Sequence, residues 1–284
     1  MRSPELLHLV SLLFFGFNGV TAAYIDLASE DIVLMRLLLG VLFLLPFALH
    51  VVKGVRLSHH DGFHACAAGL FMGASWIFLY SAYRSIGVAL ASVIYYFGPV
   101  LVMIVTACLH TEYIRPAQWL CLVVAFSGLL LSISDGRAWR QDIEGLIKAS
   151  ASAVCYAGMI LCARGIRNPR GFVSAFVILA AALASVGIYF LLTGTTLPSF
   201  EAIGASLLPL LVLGVVNTGL SCLLYFQAVP KLSAATVSIV GYAEPLTAVV
   251  AATLLLSETL TACQILGIAL LFSGAAAAQL LGRR

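Results

Sequence analysis

The chain has 284 residues, 62% of them apolar and only 10% charged, with a mean hydropathy of +1.08. Soluble domains are about half apolar and a quarter charged, so a water-soluble fold is excluded and a bilayer is the expected solvent. The formal net charge of +3 gives no ground for a nucleic-acid partner, because in such a chain the placement of the bases carries the information.

Ten mostly apolar segments, each long enough to cross a hydrocarbon core of roughly 30 Å, follow in chain order. They are Leu6–Tyr24, Ile32–Val52, Phe63–Tyr83, Ile86–Leu109, Ala117–Ile133, Gly145–Ala163, Phe172–Leu192, Ile203–Leu223, Leu232–Leu256 and Ala262–Leu281. Short connections remain, too small for a soluble catalytic or regulatory domain. Arg2 ahead of the first segment and Thr21-Ala22-Ala23 behind it give the outline of a cleavable signal. Its place as first member of a repeat argues that it is kept. The cysteines at 66, 108, 121, 155, 162, 222 and 263 all fall inside predicted spans, with no CxxC pair or Cys/His cluster. They read as small buried hydrophobes, and neither a metal nor a cofactor is expected.

An N-terminus in the cytoplasm puts Arg2, Lys53, Arg56, Arg115, Arg164, Arg167, Arg170, Lys231, Arg283 and Arg284 inside, leaving Arg84, Arg137 and Arg140 outside. This positive-inside bias predicts that both termini are cytoplasmic. The first outer loop, with Asp26, Glu30 and Asp31, agrees.

Shifting the chain against itself by 146 positions aligns residues 82–128 with 228–274 at twelve identities in 47 positions. The matches pair Tyr96 with Tyr242, Pro99 with Pro245, Glu112 with Glu258, Gln118 with Gln264 and Ser127-Gly128 with Ser273-Gly274. Each half holds five spans, an odd number, so the second copy is inverted relative to the first. The predicted fold is an all-α integral membrane protein of ten transmembrane helices in two inverted five-helix repeats, residues 1–138 and 139–284. Secondary transporters share this plan, with a midplane substrate site between the halves.

The run from Ala89-Leu90-Ala91-Ser92 through Tyr96, Pro99, Glu112 and Gln118 to Gly128 recurs as Ala235 through Glu244-Pro245, Glu258-Thr259-Leu260-Thr261, Gln264 and Gly267 to Gly274. It resembles the EamA repeat of the drug/metabolite transporter superfamily, and Arg36 ahead of an apolar run is similar to that family's first repeat. The resemblance covers essentially the whole chain and is weakest in spans 1, 6 and 7. It implies ten helices, cytoplasmic termini in a bacterial inner membrane, and uptake or, more often, export of small metabolites such as amino acids. Ser257 departs from the glycine that the family usually has before the second glutamate, and reads as a minor loop change.

Glu244 lies mid-span, where a carboxylate is costly and usually faces a substrate or proton pathway. Its repeat partner is Gly98. It is the candidate coupling residue, and a protonated structural group bonded to a freed carbonyl is the competing reading. Pro99 and Pro245 remove backbone donors and crowd the carbonyls of Tyr95 and Gly241, predicting bent helices 4 and 9. Trp76 and Tyr80 share a face of span 3 beyond Gly69 and Gly73, whose spacing permits close helix approach. With Tyr95, Tyr96 and Tyr242 they make a candidate aromatic box for a planar or cationic ligand. Asn217, Ser221 and Tyr225 recur at spacing four in span 8, as do Ser152 and Tyr156 in span 6, while Asn18 and Thr21 share span 1. Candidate substrate contacts are therefore Asn18, Trp76, Tyr80, Tyr95, Tyr96, Tyr156, Asn217, Tyr242 and Glu244, with packing or interhelical bonding as the alternative for each. Arg36 is expected to snorkel toward Glu30 and Asp31, and Lys148 is read likewise. Trp119 and Trp139 read as belt or loop residues. The six histidines sit near span ends or in loops, with His59 and His60 solvated.

The expected function is a secondary active transporter. No GxxxxGK[ST] loop is present for ATP, and no HExxH or GxSxG motif points to a membrane enzyme. Uptake of a vitamin, nucleoside or cationic amine, a membrane-embedded enzyme and a structural membrane protein remain alternatives. The expected partners are a small-molecule substrate, membrane lipid and a coupling proton; the oligomeric state is open.

Overall fold

A computed structural model describes residues 3–51, 58–109, 115–133, 142–167, 172–232 and 234–281. Arg2, Lys53, Arg56, Glu112, Arg137, Trp139, Arg140, Arg170, Arg283 and Arg284 lie outside these ranges. Among the described residues the elements are helical and no strand occurs.

Helix α1 spans Pro4–Ala23 with an interruption at Phe17, α2 spans Ser29–Val51 and α3 spans His59–Ile86. Helix α4 comprises Val88–Tyr95 and Gly98–Cys108, and α5 spans Pro116–Ile133. Then come α6, Ile143–Arg164, and α7, Phe172–Thr193. Helix α8 comprises Leu207–Leu211, a π-helical stretch Val212–Leu220 and Ser221–Ala228. Helix α9 comprises Ala234–Gly241 and Ala243–Leu255, and α10 spans Ala262–Leu281. Eight of these are long and apolar enough to cross a membrane, while Pro116–Ser132 and Ala243–Leu255 are shorter apolar helices.

Both mid-span prolines sit at helix breaks. Pro99 lies in the first turn of Gly98–Cys108, and Pro245 in the first turn of Ala243–Leu255. A first turn is where a missing N–H costs nothing, so the chain restarts there. Helix α8 departs most from expectation, starting at Leu207 and running through Ala228 instead of covering Ile203–Leu223. Ser199 Oγ caps a separate short helix, Phe200–Ala205, by accepting from the Ala202 N–H, and the chain turns at buried Ser206.

The helices interlock across the two halves of the chain. Helix α3 packs on α6 and α7, α1 and α2 on α8, α4 on α6 and α9, and α9 also on α1. The α3–α6 contact is tied by reciprocal bonds in which Ser75 Oγ and Ser152 Oγ each donate to the other residue's carbonyl, both at 2.8 Å. Gly69 and Gly73 serve the α3–α7 contact, for a side-chain carbon at Gly69 would sit 2.5 Å from the Ile178 carbonyl oxygen. Helices α5 and α10 pair with each other, and there the repeat-matched glutamines do the same work. Gln118 Oε1 accepts from the Arg115 N–H and Gln264 Oε1 from the Thr261 N–H, both at 3.0 Å and both at the start of a helix.

One expectation about the cysteines needs correction. Cys66, Cys108 and Cys263 are exposed on the apolar exterior, not buried. A thiol is apolar enough for lipid, so intramembrane location alone does not decide the face. His8, near the start of α1 as expected, is fully buried, with Nε2 3.3 Å from the Val237 carbonyl oxygen.

Candidate functional site

Between the helices lies a cavity of about 290 Å³. Residues of α1, α2, α3, α4, α6, α7, α8 and α9 line it, and none comes from α5 or α10. Seven of the nine sequence candidates meet there: Asn18, Trp76, Tyr80, Tyr95, Tyr96, Tyr156 and Glu244. Glu244 stands in the first turn after the α9 break, and the Tyr96 hydroxyl beside the α4 break bonds its carboxyl. The two broken helices thus meet at the cavity. Tyr95 stacks on Tyr156 with ring centroids 4.5 Å apart, and its hydroxyl is bonded to Trp76.

The other two candidates lie elsewhere. Asn217 is buried but does not line the cavity; its Nδ2 donates to Thr21 Oγ1 at 2.9 Å and ties α8 to α1. The spacing of four that grouped Asn217 with Ser221 and Tyr225 assumes an α-helix, whereas Asn217 sits in the π-helical stretch. Thr218 Oγ1 and Ser221 Oγ donate to the carbonyls five residues earlier, at Leu213 and Val216. The wider turn rotates the polar face, so that Tyr225 reaches the cavity and Asn217 does not. Tyr242 packs toward Phe272 of α10, with centroids 6.4 Å apart.

Arg36 is the residue that sequence reasoning misplaced. It does not snorkel toward Glu30 and Asp31 but is 1% exposed and lines the cavity. The acids precede it by five and six residues, not the three or four that would put them on its face of α2. Its Nε and Nη2 donate to Thr218 Oγ1 at 3.2 and 2.9 Å, Nη1 donates to the Tyr80 hydroxyl, and Nη2 reaches Asn18 Oδ1 at 3.4 Å. The guanidinium lies 3.8 Å from the centroid of the Trp76 ring. Trp76 and Tyr80, one turn apart, are therefore as much a seat for Arg36 as a wall for a ligand. Lys148 is only partly exposed and pairs with Glu144 one turn back, 2.6 Å away.

The cavity is closed at one end and extends toward the other. It reaches Ala163, next to the last residue of α6, and Ala175 near the start of α7. At the opposite end Tyr80 and Tyr83 divide it from a vestibule of about 510 Å³ lined by Tyr24, Asp26, Arg84 and Val88. There Glu258 accepts from the Val88 and Ala89 N–H groups, at 2.6 and 2.8 Å, clamping the loop after α9 to the start of α4. Gly87, with φ +82°, turns the chain so that these donors face the carboxylate. Ser257, the departure from the family pattern, adopts φ 56°, the left-handed conformation that explains the usual glycine. The Glu258 match to Glu112 was legible in the sequence, but not its partner.

The EamA-like transporter family matches residues 2–134 and again 143–278. The uncharacterized transporter YxxF of Bacillus subtilis is 26% identical over 273 residues, covering 94% of this chain and 86% of its own. An uncharacterized transporter of Archaeoglobus fulgidus is 26% identical over 275 residues, covering 96% and 95%. One crystal structure of a protein superposes with a TM-score of 0.67 at 20% identity and full coverage of both chains, a likeness of fold. The chain belongs to the EamA-like transporter family and is a multi-pass integral membrane protein.

Proposed function

We propose that the chain is a secondary active transporter that exports small metabolites such as amino acids by alternating access, with Glu244 carrying the coupling proton. It has ten spans in two inverted repeats, residues 1–138 and 139–284, in a bacterial inner membrane with both termini cytoplasmic. The observation that carries this reading is the cavity itself: walled by both halves of the chain, bearing Arg36 and Glu244, and divided by Tyr80 and Tyr83 from the vestibule beside the Glu258 clamp. The packing supports the repeat. Exchanging each helix with the one five places on turns the α3–α6 contact into α8–α1, α3–α7 into α8–α2, and α4–α6 into α9–α1, and all of these contacts occur. In the proposed orientation Glu258 seals the outer end and the cavity faces the cytoplasm, the loading side for an exporter.

The test is proton movement in proteoliposomes loaded with a pH-sensitive dye and given each of the common amino acids in turn. Coupled transport shifts the internal pH, and the sign of the shift distinguishes exchange against protons from co-transport. Glu244→Gln keeps the size of the side chain and its hydrogen bonding but fixes it as neutral, so the dye response is lost while counterflow exchange of the same amino acid persists. Equal dye responses in wild type and variant contradict the role given to Glu244, and no response to any amino acid contradicts the substrate class.

A further inference from the structure

Arg36 is a buried cation whose hydrogen-bond partners are all neutral. Thr218, Tyr80 and Asn18 take its N–H groups and Trp76 covers its face. His60–Asp61 and Lys148–Glu144 pair elsewhere, and among the described residues no carboxylate lies within pairing distance of Arg36. Neutral acceptors satisfy hydrogens without pairing the charge, Glu244 acts on Arg36 only through space from across the cavity, and a charge away from water without a paired counter-ion is costly. A guanidinium does not shed its proton to escape that cost, whereas a buried carboxyl does. Of the two ionisable anchors in the cavity, Arg36 is therefore the one that calls for a counter-charge from outside.

We infer that Arg36 is the anion anchor of the cavity and that the ligand carries a carboxylate that binds there. This rests on the cavity being the substrate site. Nη1 keeps one N–H beyond its bond to Tyr80, and the bond to Asn18 is long at 3.4 Å, so an incoming oxygen finds donors without dismantling the seat. Among the described residues Arg36 is the cavity's one lysine or arginine, which suits a monoanion better than a phosphate bringing about two charges. Much of the remaining wall is aromatic and thioether, with Trp76, Tyr83, Tyr95, Tyr156, Met72 and Met159 beside aliphatic residues, and fits a flat apolar body. With a zwitterionic ligand the ammonium group meets Glu244; a plain carboxylate makes no use of it. Both share the bond to Arg36.

Three probes with one phenyl body separate the cases: phenylacetate, phenylalanine and phenethylamine, titrated calorimetrically into the purified protein. The inference predicts that phenylacetate, phenylalanine or both bind, that phenethylamine does not, and that Arg36→Gln weakens the carboxylates about tenfold or more, the worth of a charge-assisted bond. Arg36→Lys, which keeps the charge but not the fork, falls between. Because Arg36→Gln removes the centre of a buried cluster, the ranking of the three probes on the unaltered protein stands as a separate test. Preference for phenethylamine, carboxylate binding that survives Arg36→Gln, or no binding by any probe overturns the anchor. The transporter reading is judged independently, because the dye assay answers to any transported amino acid whatever its contact with Arg36.

Discussion

Replacing Glu258 by glutamine tests whether the closed end of the cavity is held by a latch. The carboxylate accepts two backbone N–H groups at 2.6 and 2.8 Å, at the start of α4. Glutamine offers one acceptor oxygen and turns an NH₂ group toward the other N–H, so one charge-assisted bond is lost and the second becomes neutral. Bonds to charged groups contribute about 1.5–3 kcal/mol and neutral ones about 1 kcal/mol. Because Glu258 is only partly buried and water can replace it, about 1.5 kcal/mol is a fair net loss, about tenfold in the ratio of closed to open states. The reporter is Ala252→Cys, in a background lacking the native cysteines. Ala252 is fully buried in the small cluster with Val20, Val88, Ala89 and Ala251 beneath the latch. A membrane-impermeant maleimide should label it about ten times faster when Glu258→Gln is added, while Leu122→Cys, buried on α5, stays protected. An unchanged rate at Ala252→Cys would refute the latch, and a parallel rise at Leu122→Cys would mean that the variant has loosened as a whole.

Two further substitutions probe the frame around the cavity. Thr218→Val removes the acceptor shared by Arg36 Nε and Nη2 and leaves buried donors of a charged group unmet, so the thermal midpoint in detergent should fall by the equivalent of about 1–3 kcal/mol; an unchanged midpoint would mean that Thr218 is dispensable to the seat. Gly69→Val drives a side chain against the Ile178 carbonyl and Ala181, and should cost about 1–3 kcal/mol by parting α3 from α7. A neutral result would show that this contact yields without cost.

Much of the frame was legible because the signals are local. Span lengths follow from bilayer thickness, and the breaks in α4 and α9 from Pro99 and Pro245; the pairing of Gln118 with Gln264 was legible from the repeat, though not the helix-start role they share. The cavity was legible where a residue type is expensive in lipid, as with Glu244, or where two aromatics fall one turn apart, as with Trp76 and Tyr80. Arg36 was not, since an arginine near a span end beside acids has two solutions and only the distant Thr218, Tyr80 and Asn18 choose between them. The spacing of five and six from Asp31 and Glu30 was the available clue. The π-helical stretch was hidden too. Hydroxyls at Thr218 and Ser221 bond the carbonyls five residues back along it, and an assumed 3.6-residue turn put Asn217 on the wrong face.

The central claim is that one cavity serves both sides of the membrane in turn. Its most direct measurement is thiol labelling of Tyr156→Cys, in the cysteine-free background, in proteoliposomes of defined orientation with an impermeant reagent added from either face. The account predicts labelling from both faces, with Glu258→Gln raising the rate from the latch side and lowering it from the other. Labelling from one face alone, whatever the state of Glu258, would contradict alternating access.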